Sequence, residues 1–310
     1  MSPIRLVLPA TSANLGPAFD SAGLAMALTL TIDAEISPNP AGPPLTIEAT
    51  GRHADRCART SNNMIFETCR DVLTRAGRPA VPLYIRIHNE IPLGMGCGSS
   101  AAALLGGVLL ANHFGSLGWS THACMEEAAR REGHPDNVAA CALGYLTVSA
   151  VTPGIAHSTT VTTATCGKSL RWKLLLALPS TSLATERARA LLPATYTRAD
   201  TVANIQRTGL LIAAFALDRP DLLRTAMQDR IHQPYRMEAC PLLPRLLPLA
   251  GELGIFGVAL SGAGPGILLI ADPAADTPTL TTRIRATAED PSLEILETAI
   301  APGAAKFLPA

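Results

Sequence analysis

Apolar and polar positions along the chain alternate in short runs that then give way to helical spacing. Residues 4–8, 27–36, 45–49 and 83–87 read as strands, with a turn by composition at 39–44 (Asn-Pro-Ala-Gly-Pro-Pro). Residues 62–76 place Ile65, Cys69, Val72 and Leu73 on one helical face, with Asn62 or Asn63 as the cap. After a glycine-rich loop, a helix of small residues runs to about 113 and a second covers 121–131, before strand character returns at 144–151. Beyond a threonine-rich stretch ending near Gly167, 172–177 reads as a buried strand. Helices are expected at 199–217, 220–227 and 242–253, then strands at 256–260 and 267–271, one more helix, and a strand at 293–298. The order predicts an α+β fold in two halves, 1–155 and 156–310.

Composition narrows the function. The 25 Lys+Arg balance the 25 Asp+Glu, so the electrostatic source of general nucleic-acid binding is missing. The chain is 48% hydrophobic but only 4% aromatic, which leaves the core to Ala, Leu, Val and Ile and argues against disorder. The most apolar stretch, 101–111, is about half the ~20 residues that span a bilayer. The start of the chain lacks the apolar region of a signal peptide. Seven scattered cysteines form no CxxC pair, so neither a disulfide framework nor a zinc site is expected. A reducing, cytoplasmic setting is expected, and no membrane or nucleic-acid partner. A homodimer built on exposed apolar helices is an open expectation.

The chemistry concentrates in Ile91-Pro-Leu-Gly-Met-Gly-Cys-Gly-Ser-Ser-Ala-Ala102. A strand enters, glycines at 94, 96 and 98 free the backbone, and Ser99-Ser100 open a helix. Successive N–H groups can then converge on one point beside a positive helix end, which makes a phosphate cradle. Two commoner phosphate loops fail here. No lysine follows the last glycine, and Ser99 stands at the third glycine of a dinucleotide fingerprint. Lysine is scarce altogether (Lys168, Lys173 and Lys306), and residues 91–125 contain no Asp, Glu, Lys or Arg. A bound anion would be held by backbone and hydroxyls, with cationic help from a metal or from elsewhere in the chain.

This segment resembles the ATP-binding motif of the GHMP small-molecule kinases, named for galacto-, homoserine, mevalonate and phosphomevalonate kinases. Two further segments match that family in order and spacing: Pro9-Ala-Thr-Ser-Ala-Asn-Leu-Gly-Pro-Ala-Phe-Asp20 and Gly257-Val-Ala-Leu-Ser-Gly-Ala-Gly-Pro-Gly266. Within the family the resemblance is closest to the branch whose acceptor is L-homoserine. It rests on Glu132-Gly-His-Pro-Asp-Asn-Val138, Ser182-Leu-Ala-Thr-Glu-Arg-Ala-Arg-Ala-Leu-Leu-Pro193 and Asp229-Arg-Ile-His-Gln-Pro-Tyr-Arg236. Cys97 replaces a usual Leu and Ala18 a common Gly. The first is a small hydrophobe that could make the loop thiol-sensitive, and the second is strained only if its φ is positive.

The resemblance implies a two-domain kinase fold, with an ATP-binding N-terminal half and a C-terminal α+β half. It also implies ATP- and Mg²⁺-dependent transfer to the acceptor hydroxyl, a step of threonine biosynthesis. ATP would be bordered by Asn62 and held by Pro92, Leu93, Gly94, Met95, Gly96, Cys97, Gly98, Ser99 and Ser100, with Ser261 and Gly262 from the second glycine loop. Mg²⁺ would take Ser100 and Glu126. The acceptor would meet Asn14, Asp20, His134, Thr185, Arg189 and Arg236, with Asp20 facing its ammonium group. The arginines suit its carboxylate, because a guanidinium is a planar two-donor partner. Asn14, Asp20, Asn137 and Arg189 are the residues expected at the reacting groups. Asn137 stands where other branches carry an aspartate base, so transfer without a dedicated base is expected; a loose transition state asks for little prior deprotonation. The remaining alternatives are a kinase for another small alcohol, such as mevalonate, or a silent nucleotide-binding regulator on the same fold.

Overall fold

The computed structural model describes residues 1–39, 42–153, 159–181 and 185–307. Seven strands form one mixed sheet: β1 (Ile4–Asn14), β2 (Ala18–Ile36), β3 (Leu45–Gly51), β4 (Leu83–Asn89), β5 (Leu146–Pro153), β6 (Thr159–Cys166) and β11 (Ala305–Phe307). The hydrogen-bonded order is β11-β1-β2-β4-β3, with β5 joined to β2 and β6 to β5; only β3–β4 is parallel. β2 serves two neighbours on one side, pairing β5 at Ala22–Leu24 and β4 at Leu30–Ile36. A second, antiparallel sheet runs β10 (Glu294–Ala299), β7 (Lys173–Leu178), β9 (Ile267–Ala271), β8 (Ile255–Leu260).

The expected division at 155/156 itself lies outside the described residues. The strands on either side of it, β5 and β6, pair with each other in the first sheet, and the second sheet begins at Lys173. β1 is longer than its alternation suggests. Its polar second half, through Thr11, Ser12 and Asn14, is buried and stays extended because each of those side chains finds a partner.

The helices are α1 (Ala54–Cys57), α2 (Met64–Arg75), α3 (Ser99–Phe114), α4 (Thr121–Glu132), α5 (Asp136–Leu143), α6 (Thr185–Ala190), α7 (Arg198–Ala216), α8 (Leu223–Ala226), α9 (Gln233–Arg236), α10 (Leu242–Leu246) and α11 (Thr277–Ala288). Asn63, not Asn62, caps α2, accepting from the Phe66 N–H at 3.2 Å. α3 carries no charge on any face because α2, α4, α5 and the first sheet surround it. The single helix expected at 242–253 is instead α10 followed by a 3₁₀ turn at Leu247–Leu249, since Pro248 cannot donate within a continuing α-helix.

The second sheet is buried on both faces, and its alternation divides the core. Leu174, Leu176, Leu268 and Ile270 join the large cluster shared with the first sheet. Leu175, Leu269, Ala271 and Val258 join a smaller one beneath α10 and α11. The edge of the second sheet thus brings the loop after β8 against the glycine loop that opens α3. No described helix is long and apolar enough to cross a membrane.

Candidate active site

The glycine loop has the backbone its sequence requires. Gly94, Gly96 and Gly98 all have positive φ (72°, 73° and 68°), and Gly98 is the N-cap of α3. Close packing adds a second demand. A Cβ on Gly96 would lie 1.9 Å from Ser261 O, and one on Gly98 would lie 1.8 Å from Thr11 Oγ1. The second glycine loop is therefore a buttress. The buried Ser261 hydroxyl donates to Gly96 O at 2.8 Å and sits 2.9 Å from Ser12 Oγ, while the Gly262 N–H donates to Ala13 O. Met95 O packs on Gly266 in the same way, and Pro92 is buried under the loop. Cys97 is buried, and burial pushes its thiol up to about 12, which opposes the thiol sensitivity considered for this loop.

Two cavities meet at the loop. One, of ≈ 420 Å³, is lined by Asn62, Met64, Ile91, Leu93, Ser99 and Ser100 among others, with Arg56 and Arg59 at its rim and no carboxylate in its lining. Exposed Met64 and left-handed Asn62 offer a flat apolar edge beside a polar one, as a purine requires. The smaller cavity, ≈ 60 Å³, lies inside the loop and adds Glu132, His134, Asn137, Gly262 and Ala263.

The carboxylate at this inner cavity is Glu132, not Glu126. Ser100 Oγ donates to Glu132 Oε1 at 2.6 Å. Glu126 is engaged elsewhere, accepting from the Val161 N–H at 3.0 Å and lying 3.4 Å from His122 Nε2. Its place six residues earlier on α4 sets it about 9 Å back along the helix axis. Ser100 and Glu132 supply the adjacent hard oxygens that Mg²⁺ selects.

Beyond the loop lies the acceptor side. Asn14 is a clamp: its Nδ2 donates to Gly262 O at 3.0 Å, and its Oδ1 accepts the Asp20 N–H at 3.0 Å. Asn14, Leu15 and Asp20 take positive φ (71°, 44° and 55°), whereas Ala18 does not, so its substitution adds no strain. The Asp20 carboxylate is held by both terminal nitrogens of Arg189, at 3.0 and 2.6 Å. Arg189 and Arg236 both lie over the Phe19 ring, 5.4 and 5.5 Å from its centroid. Arg236 is only 1% exposed yet pairs with no carboxylate among the described residues. Its Nε donates to Ala188 O and its Nη1 to His232 Nδ1, which leaves Nη2 without a described partner. Burial, with the nearby Arg189 charge, lowers its pKa from the ordinary arginine value.

The segment preceding Arg236 explains itself locally. Buried Asp229 accepts the N–H groups of Ile231, His232 and Gln233, closing a turn. His232 then stacks on Phe19 and donates from Nε2 to Gly16 O at 2.8 Å. Burial pushes its pKa down and keeps it neutral, consistent with an Nδ1 that accepts from Arg236.

On the opposite wall, His134 Nδ1 lies 2.6 Å from Asp136 Oδ1. Burial alone would lower the His134 pKa, but the Asp136 hydrogen bond and charge outweigh it and the net shift is upward. The Asp20, His134 and Asp136 side chains approach within 4.8 Å of one another, so a protonated imidazole there balances Asp136 while Arg189 balances Asp20. Asn137 Oδ1 accepts from Thr11 Oγ1 at 2.7 Å and is not free to take a proton from an acceptor. Thr185 begins α6, and its side chain lies outside the described residues. Phe19, Thr11, Asp229 and His232 did not stand out as site residues in the sequence, although each sits inside a segment that did.

A glycine cradle, a serine–carboxylate pair and a charged acceptor wall on a two-sheet scaffold make this an ATP-dependent small-molecule kinase. Family models for the GHMP kinases N terminal domain and the GHMP kinases C terminal match residues 63–145 and 211–289. The chain belongs to the homoserine kinase family of the GHMP kinases. It is 44% identical to a homoserine kinase of Solibacter usitatus over 86% of this chain and 84% of that one. A homoserine kinase of Deinococcus radiodurans is 38% identical over 90% and 87%. The crystal structure of homoserine kinase from Cytophaga hutchinsonii, 21% identical, superposes with a TM-score of 0.79 over 99% of this chain and 98% of that one, and so shares the fold.

Proposed function

We propose that the chain phosphorylates the side-chain hydroxyl of L-homoserine from ATP, giving O-phospho-L-homoserine and ADP for threonine biosynthesis in the cytoplasm. The observation that carries the acceptor class is the Asp20–Arg189 pair beside Arg236. With no ligand, one carboxylate and one guanidinium satisfy each other across Phe19. A zwitterionic amino acid can replace that contact on both sides, its ammonium group on Asp20 and its carboxylate on Arg189 and on Arg236 Nη2. A purely anionic alcohol that drew Arg189 away would leave Asp20 unpaired, which costs about 1–3 kcal/mol or more for a charged group. The site thereby rejects mevalonate, which has no ammonium group.

The positioning follows from the braces around the site. Asn14 ties the Asp20 backbone to Gly262, so the acceptor wall and the glycine loops are fixed relative to each other. Thr11 orients Asn137, and Asp136 orients His134, whose outer nitrogen is left to donate toward the acceptor or the transferred group. The loop N–H groups and the α3 N-terminus stabilise phosphate charge. Ser100 and Glu132 would hold Mg²⁺, which would neutralise phosphate charge and orient the γ-phosphoryl group. Among the described residues no carboxylate is free to act as base at the acceptor hydroxyl: Asp20 would take the acceptor's ammonium group, and Asp136 is covered by His134 and the Asn137 N–H. The acceptor proton is then lost late, to a transferred phosphoryl oxygen or to solvent, as the new P–O bond forms and the bond from the γ-phosphorus to the departing ADP oxygen breaks.

A coupled ADP-release assay tests this reading. Turnover is expected with L-homoserine and not with mevalonate. Arg236→Lys is expected to raise the KM for homoserine by about 10²-fold, with the KM for ATP little changed, because an ammonium cannot keep the bonds to Ala188 O and His232 Nδ1 and still present a fixed N–H to the carboxylate. Turnover with mevalonate alone, or equal loss for both substrates, refutes the assignment.

A further inference from the structure

Behind the acceptor wall a separate cavity of ≈ 470 Å³ opens between α7, α8 and the Leu247–Leu249 turn. Arg207, Arg224 and Arg230 line it, a local excess of positive charge in a chain whose net charge is zero. Arg230 reaches Asp200 at 3.2 Å, and Arg207 donates only to Gln228 Oε1. Arg224 makes no side-chain hydrogen bond or ion pair with a described residue. Its guanidinium rests on the bare backbone of Gly251, where an added Cβ would lie 3.1 Å from Nη1. The one carboxylate in the lining, Asp229, is buried and spent on Asn204 Nδ2 and on the three N–H groups of its own turn. Two guanidinium groups are thus held at one cavity by packing and an amide, with no resident anion. Met227, Leu247 and Val258 supply apolar walls between them.

We propose that this cavity is a second binding site, for a small organic dianion (a dicarboxylate or a phosphate monoester), and that its occupancy acts on the acceptor side. Planar guanidinium forks recognise either oxyanion, and apolar walls accommodate a short carbon frame. The coupling has a physical path. Met227 O is pressed against Gly16, where a Cβ would lie 2.1 Å away. Asp229 closes the turn that places His232 on Gly16 O and Arg236 over Phe19. Arg224 lies on α8 just before Met227 and Arg207 holds Gln228, so an anion drawing on both pulls on the start of that segment and not on the glycine loop.

Calorimetric titration of the full chain tests it, with the phosphate cradle filled by saturating Mg·ADP. The probes are succinate and glycerol 2-phosphate, run separately. Saturable binding of at least one is expected, weakened at least about tenfold in Arg224→Ala and in Arg207→Gln, with Arg224→Lys falling between wild type and Arg224→Ala. The probe that binds identifies the class. No saturable binding of either, or binding undiminished in Arg224→Ala, overturns the site. The second arm rests on the proposed reaction: the bound probe should change the KM for homoserine at least about twofold and leave the KM for ATP unchanged. Binding with no change in either overturns the coupling and leaves the reaction assignment untouched.

Discussion

Glu132→Gln and Glu126→Gln together separate the two candidate metal carboxylates, because the structure predicts opposite signatures for them. Glu126 accepts one backbone N–H and approaches one exposed histidine. A glutamine keeps the accepting oxygen and loses only a half-exposed ion pair, so Glu126→Gln should cost less than about 1 kcal/mol of stability and less than about twofold in kcat. Glu132 forms no ion pair among the described residues; its one strong contact is the 2.6 Å bond from Ser100 Oγ. Its charge is poorly compensated in the free protein, so Glu132→Gln should be no less stable than wild type. The same charge sits where the phosphates and their cation meet. Removing a preorganised charged group at such a point costs about 3–4 kcal/mol of transition-state stabilisation, or 10²–10³ in kcat. The assays are ADP release over a Mg²⁺ titration and a thermal melt of each variant. Glu132→Gln should melt at or above wild type, turn over 10²–10³ times more slowly and need more Mg²⁺. An active Glu132→Gln, or a dead but well-folded Glu126→Gln, would sink the assignment.

Gly98→Ala forces a Cβ against Thr11 Oγ1 at a φ of +68°, so a left-handed penalty adds to a broken buried hydrogen bond. Urea unfolding should show a loss of about 2–4 kcal/mol with unchanged m, and a loss below 1 kcal/mol would contradict the packing. The two buried histidines give pH dependences of opposite sign. The raised pKa of His134 makes its contribution complete below its ordinary value of 6.5 and lost as pH rises through the folded value, so His134→Gln should flatten the alkaline side of a stability–pH curve. The depressed pKa of His232 means that the unfolded chain protonates first, so stability falls as pH drops below 6.5 toward the folded value, and this fall should persist in His134→Gln. With the fold intact, iodoacetamide should label Cys57 or Cys166, both half-buried, well before Cys97; early capture of a Cys97 peptide by mass spectrometry would show that the loop opens.

Most elements were legible because their patterns are local: the capped face of α2, the apolar β7 and the glycines that open α3 carry their own periodicity. Two kinds of feature were not. Buried polar chain, such as the Thr11–Asn14 end of β1, reads as loop until its partners Asn137, Ser261 and Gly262 are brought up from over a hundred residues away. The short α9 has no side-chain cap of its own and follows a turn closed by Asp229, which periodicity does not register over four residues, whereas α8 and α10 fall inside the longer helices expected at 220–227 and 242–253. At the site, the segments were found while the division of labour inside them was not. Much of what the segments carry is bracing: Ser261, Asn14 and Asn137 direct their polar atoms into the protein, while Asp20, Glu132, His134, Arg189 and Arg236 are the ionisable groups these segments bring together.

The carboxylate beside Ser100, Glu132 and not Glu126, shows where a longer argument from sequence was available. α3 and α4 are consecutive helices joined by a short connection at Gly115–Ser120, and such neighbours pack antiparallel. Ser100 is the second residue of α3, so the part of α4 that returns to it must be the last turn. α3 is 16 residues long and α4 only 12, about 24 and 18 Å, so even the final residue of α4 barely regains the level of the loop. Any carboxylate a turn or more earlier falls short by at least a further 5 Å, which excludes Glu126 and Glu127 and leaves Glu132. The same geometry accounts for Gly133 at a φ of 87°: the chain must leave α4 at once to set His134, Asp136 and Asn137 around the cavity that Glu132 has just reached. Helix length, more than residue type, decides which acid reaches Ser100.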